Sequence, residues 1–192
     1  IQDRRSIREW TDEPVSEEDL AMILEAGRQA PSGENAQPWR FIVVKDPATR
    51  KKLAALAGGG SGRRFTAEFV TKQMHERFAG LKDEAKKKAA FEKLTSGQVS
   101  QFSENAPVTI IVCGKKDVWD TPYDTSAAIE NMLLMITALG LGACWVIAVC
   151  FDVREEERTK KLLDIPEGFK TISLISIGHP TRPHRQRPRL PI

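Results

Sequence analysis

The fold class this sequence predicts is an α+β or α/β sandwich around a small sheet, and three observations predict it. Short apolar runs that read as strands recur at 41–44, 107–113 and 171–177. Between them lie stretches whose apolar residues return at helical spacing. One of these, 123–141, is apolar almost all round and demands burial on every side. Strands alternating with helices bury their faces best as layers on one sheet.

The chain opens with Arg4-Arg5-Ser6-Ile7-Arg8, three guanidinium groups and a hydroxyl within five residues. Arginine forks suit the oxygens of a dianionic phosphate, and a solvated basic N-terminus is the equal alternative. Ser16 then caps a helix, with Asp19 at the capping-box position and Leu20, Ile23, Leu24 and Gly27 along one face. Pro31 stops it. The stretch 30–41, A-P-S-G-E-N-A-Q-P-W-R-F, follows as a constrained loop: Gly33 supplies conformational freedom, and Pro38 fixes the chain before the strand at 41–44. Ser32, Asn35 and Gln37 offer a hydroxyl and two carboxamides, uncharged groups suited to a neutral heterocycle or a polyol. For any one of these residues a turn bonded to itself is the better explanation, and only the cluster as a unit argues for a ligand. Trp39 packs the exit.

A second helix is expected over 48–57, ended by the glycine run 58–62. No P-loop ending follows that run, so it reads as a flexible connection and a plausible hinge. From 64 to 95 the pattern is helical and strongly charged, as for a solvated excursion or a lid. His75 has no second ligand at metal spacing and reads as a surface residue, so no metal is expected. After the strand at 107–113 and the apolar helix at 123–141, residues 143–148 read as a strand or extended loop. Asp152 and Glu155 start a helix that runs through Leu163 and is closed by Pro166. The terminal segment 181–192 interleaves Arg182, Arg185, Arg187 and Arg189 with prolines, which makes it an extended arm. Such an arm suits RNA, an anion site or a solvated tail.

Bulk properties narrow the function classes. The 192 residues suit one domain with a real core, or one subunit of an intertwined oligomer. A formal charge of +3 gives little support to a polyelectrolyte role on nucleic acid, and neither basic arm has the interleaved aromatics that stack on bases. Cys113, Cys144 and Cys150 lack C-x-x-C spacing and sit in or beside apolar runs, as buried thiols in a reducing compartment do. No signal peptide and no span of about 18 apolar residues is present, so a cytoplasmic protein without membrane association is expected. The chain begins at Ile1, so preceding residues are expected to be missing.

Taken together, R-R-S-x-R, A-P-S-x-x-N-x-Q-P-W-x-F, N-M-L-L-x-x-x-x-L-G-L-G and a terminal I-G-x-P with a basic tail resemble the FMN-dependent nitroreductase family. The resemblance covers nearly the whole chain as one domain, 1–192, with 58–105 as a variable, partly mobile helical insert. It implies a three-layer α/β/α sandwich with a small, mostly antiparallel sheet, in an intertwined homodimer with two FMN molecules between subunits. It also implies hydride transfer from NAD(P)H as co-substrate, through FMN, to a small-molecule electron acceptor such as a nitroaromatic or quinone, in ping-pong order. The flavin carries that chemistry, so no catalytic side chain is required. Arg4, Ser6 and Arg8 match the family's phosphate and ribityl contacts, with Arg5 alongside. Pro31, Ser32, Gly33 and Asn35, with Gln37, match the loop that reaches the flavin of the partner subunit. Arg187 and Arg189 match the basic pair near the phosphate. Ile147 and Ala148 fall where the family presents backbone N–H groups to the flavin, although its common Glu-Gly is absent here. Other flavin chemistry on the same fold, reductive dehalogenation or flavin fragmentation, is the alternative reading.

Overall fold

The computed structural model describes residues 1–71, 76, 78–183 and 188–190. Among the described residues, six α-helices and four strands follow one another in the order α1 (Glu17–Arg28), β1 (Trp39–Val44), α2 (Pro47–Val70), α3 (Glu84–Thr95), α4 (Gln98–Gln101), β2 (Val108–Lys115), α5 (Thr121–Ala138), β3 (Gly142–Val146), α6 (Val153–Leu162) and β4 (Phe169–Gly178). Among the described residues the strands form one sheet, β1-β2-β4-β3, every pair antiparallel. The architecture is therefore α+β.

Both faces of the sheet are covered, which explains why its central strands read as continuous apolar runs. Successive residues of β2 alternate between two cores. Ile110 and Val112 join Ile23, Ile129, Met132 and Ile136 beneath α1 and α5, whereas Ile111 and Cys113 join Leu53, Ala57, Val146 and Leu174 on the opposite face with α2. Local capping sets the helix starts: Ser16 Oγ accepts from Asp19 N at 3.0 Å, and Asp152 Oδ1 accepts from Arg154 N at 2.8 Å. Glu155 does not complete a capping box. It is buried and faces Arg63 instead.

The glycine run corrects the sequence reading. Helix α2 passes through 58–62 without a break, and Gly58, Gly60 and Gly62 are buried. Each glycine costs roughly 1 kcal/mol of helix propensity against alanine, so the helix persists because tertiary packing outweighs that cost. What the glycines supply is proximity: a Cβ on Gly62 would stand 2.6 Å from the Thr95 carbonyl oxygen, and one on Gly60 would overlap that of Ala148. The run is therefore a packed face rather than a connection or hinge. His75 lies outside the described residues.

Within the single chain, helix α5 is covered on one side only. Met132, Ile129 and Ile136 face the core, while Leu134 and Met135 stay half-buried. Together with Ala21, Met22, Ala26 and Ala138 they line an apolar groove of about 780 Å³ between α1 and α5. No helix among the described residues is long and apolar enough to cross a membrane.

Candidate functional site

The N-terminal segment reaches the site by pairing with the edge strand β3. Ile7 N–H donates to the Ala143 carbonyl at 2.8 Å, and Trp10 Nε1–H donates to the Gly142 carbonyl at 2.9 Å. This extended path puts alternate side chains on opposite sides. Ile7 enters the core, and Arg8 turns outward over the Phe102 ring, 5.5 Å from its centre.

Arg8 thereby lines a cleft of about 200 Å³ together with Gly60, Ser61, Arg64 and Phe65 of α2, with Trp145 of β3 and with Ile147, Ala148 and Phe151 that follow it. Arg64 stacks on Phe151 at 5.1 Å and bonds Glu68 through Nε at 2.8 Å. Ser61 and Ser100 share a buried hydrogen bond at 2.5 Å. No carboxylate is among the cleft-lining residues described, and of its two guanidinium groups that of Arg64 is paired with Glu68 just outside the lining. Cys144 also faces it. Burial raises that thiol's pKa despite the opposing Arg8 charge, which keeps the sulfur neutral and a poor nucleophile.

Backbone groups complete the cleft. The Ile147 carbonyl accepts from Cys150 N at 3.1 Å and from Cys150 Sγ at 3.0 Å. In a planar trans peptide the Ala148 N–H must point the other way. Outside the sheet ladder, the N–H groups of Ile147 and Ala148 meet no acceptor among the described residues, although Ala148 itself is buried. Ile147 is exposed and its N–H can meet solvent, but donors on buried residues are nearly always satisfied, so the Ala148 N–H points to an acceptor that a ligand supplies.

A second constellation lies apart from the cleft. The loop 31–37 is exposed except for half-buried Ser32, and it is held by Ser32 Oγ, which accepts from Gln37 N at 3.0 Å. Gly33 N donates to Asp124 Oδ1 at 3.1 Å. Glu34, Asn35 and Gln37 adopt φ of 52°, 56° and 45°. Three residues with positive φ within four positions cost energy that a mere connection need not spend, and such strain concentrates at functional loops. Gly33 is not one of the positive-φ residues, so its function is room: a Cβ there would stand 2.7 Å from Asp120 Oδ2.

The nitroreductase family model matches residues 1–179. The chain belongs to the nitroreductase family. It is 34% identical over 188 residues to a protein of Archaeoglobus fulgidus provisionally named NADH dehydrogenase/NAD(P)H nitroreductase, covering 94% of this chain and 83% of that relative. It is 31% identical over 191 residues to the FMN reductase [NAD(P)H] of Bacillus subtilis, covering 100% of this chain and 68% of the relative. Among solved structures it is similar to an FMN-dependent nitroreductase from Clostridium difficile, with a TM-score of 0.68, 26% identity and coverage of 97% and 89% of the two chains.

Within this nitroreductase-family chain, the residues singled out from sequence divide into four groups. Arg8, Ile147 and Ala148 come together in the cleft. Pro31, Ser32, Gly33, Asn35 and Gln37 form the exposed loop, none of them lining that cleft. Arg4 pairs with Glu130 of α5 at 3.5 Å, Ser6 is exposed beside β3 in a bridge with Ala143, and Arg5 turns away to a small pocket with Thr137, Leu141 and Pro180. Arg189 is exposed, and Arg187 lies outside the described residues.

Sequence reading missed Ser61, Arg64, Phe65, Phe102, Trp145 and Phe151 as cleft residues. A signal was present: residues 57, 60, 61, 64 and 65 follow helical spacing and define one face. Treating 58–62 as a break hid it.

Proposed function

We propose that this nitroreductase-family protein binds FMN at the cleft and uses it to pass a hydride from NAD(P)H to a small acceptor, a nitroaromatic or a quinone. The observation that supports this best is the meeting of Arg8 with the unpartnered Ala148 N–H in one cleft that has no carboxylate in its lining. Arg8 and Arg64 suit an anion, the two N–H groups suit heterocycle acceptors, and Phe65, Trp145 and Phe151 offer apolar and aromatic walls to a flat ring. Arg4, Ser6, Arg187 and Arg189 are proposed as further phosphate and ribityl contacts.

A cleft of about 200 Å³ is small against the 300 Å³ or more of ordinary ligand pockets, so a flavin must project from it and be covered from outside. We propose that a second copy supplies the cover. The exposed 31–37 loop has neutral polar side chains to contribute, and the groove between α1 and α5 is an apolar surface of the kind that a subunit interface buries. Donor and acceptor would then use the same open face in turn. No side chain of the chain itself need carry a proton or a covalent intermediate.

The test is a visible spectrum of purified protein, followed by steady-state kinetics with NADPH and a quinone. Flavin absorption and parallel double-reciprocal lines are expected. Protein that neither carries nor binds flavin overturns the reading.

A further inference from the structure

Two successive peptides of the turn after β3 are held from opposite sides. The Ile147 carbonyl is taken by Cys150 within the turn, and the Ala148 carbonyl lies against the bare Cα of Gly60, where any Cβ would overlap it. One helical turn on, Arg63 bonds Asp152 Oδ2 through Nε at 2.7 Å and also bonds Glu155. Asp152 caps α6 and so fixes the far end of the same turn. The Glu155 carboxylate is almost wholly buried, which makes its pairing with Arg63 expensive to break.

We propose that α2 is the positioning element of this turn: Gly60 seats the Ala148 carbonyl, Arg63 anchors Asp152 and Glu155, and together they aim the Ile147 and Ala148 N–H groups into the cleft. The inference rests on the flavin reading above and adds two residues to it, Gly60 in the cleft wall and Arg63, which does not line the cleft. A side chain at Gly60 must push the Ala148–Val149 peptide away, and because Asp152 holds the far end of the turn, that shift has to be taken up in the φ and ψ of Ala148, which set the direction of its N–H. Arg63 acts through the turn and is a positioning residue.

The experiment titrates apoprotein with FMN and with riboflavin, and measures the flavin midpoint potential and apoprotein melting. Gly60→Ala is expected to weaken FMN and riboflavin alike, by about tenfold, the scale of one lost hydrogen bond, and to shift the potential. A phosphate contact would instead affect FMN alone. Gly168→Ala, where nothing lies within 4 Å of the added methyl, is expected to leave both affinities unchanged. Arg63→Gln is expected to reproduce the loss in weaker form, with Arg63→Lys closer to wild type, and it decides the matter if Gly60→Ala does not accumulate folded. Folded Gly60→Ala protein, or folded Arg63→Gln protein, that matches wild type in riboflavin affinity and potential overturns the positioning role while leaving the flavin reading intact. Wild-type protein that binds no flavin overturns both.

Discussion

Gly33 and Asp124, 91 residues apart, are joined by a hydrogen bond from the Gly33 N–H to Asp124 Oδ1 at 3.1 Å. The bond fastens the exposed 31–37 loop to the first turn of α5, the helix that also carries the apolar groove. Asp124 is buried, and its Oδ2 has no partner among the described residues. The loop's shape and the helix's position are therefore one structural unit.

Removing that link tests the unit. Asp124→Ala leaves the Gly33 N–H without its acceptor and is expected to destabilise the fold by about 1–3 kcal/mol, whereas Asp124→Asn keeps an acceptor oxygen and costs less. Urea midpoints measure the total. Hydrogen exchange at Gly33 localises it, and an unchanged protection factor in Asp124→Ala would show that the bond does not hold the loop.

Arg8 is the one cation of the N-terminal run that lines the cleft. If it meets the phosphate, Arg8→Ala is expected to lose about 1.5–3 kcal/mol of FMN binding, tenfold or more, and little of riboflavin binding. Fluorescence titration of apoprotein with both ligands separates the cases. Equal losses would place Arg8 on the ring or ribityl portion.

The groove between α1 and α5 calls for substitutions on its surface. Met132, an obvious choice from the sequence, is fully buried under α1 against the sheet, so Met132→Asp would prevent folding whatever the oligomeric state. Met135→Asp places its charge in the groove instead. A folded monomer with weakened FMN binding is expected from sedimentation and titration, and a Met135→Asp protein that remains dimeric would remove the groove from the interface.

The thiols predict a pH dependence. Burial pushes Cys113 and Cys150 up to about 12 from an ordinary 9.0. The folded state holds them neutral, so their contribution is complete below about 9 and is lost as pH rises from there toward 12, at no more than about 1.4 kcal/mol per pH unit for each thiol. Urea midpoints between pH 7 and 10.5 should fall less steeply in Cys113→Ala than in wild type. Identical slopes would show that the thiol ionises equally easily in both states.

Much of this protein was determined by sequence alone. Local rules sufficed for Ser16 at the start of α1, for the apolar runs that became the sheet, and for Asp152 at the start of α6, because caps and strand periodicity involve neighbours in the chain. Four motifs in order also sufficed for the family. Tertiary structure decided what local rules misread. Glycines at 58–62 are poor helix formers in isolation, and only the approach of the Ala148 and Thr95 carbonyls shows why a helix runs through them. Likewise Arg4, Arg5 and Arg8 are equivalent charges in a sequence. They diverge to Glu130, to a pocket beside Thr137 and to the cleft: alternation along the extended chain sends Arg5 to the side opposite Arg4 and Arg8, and those two are separated by what the fold sets beside each, α5 at Arg4 and α2 at Arg8.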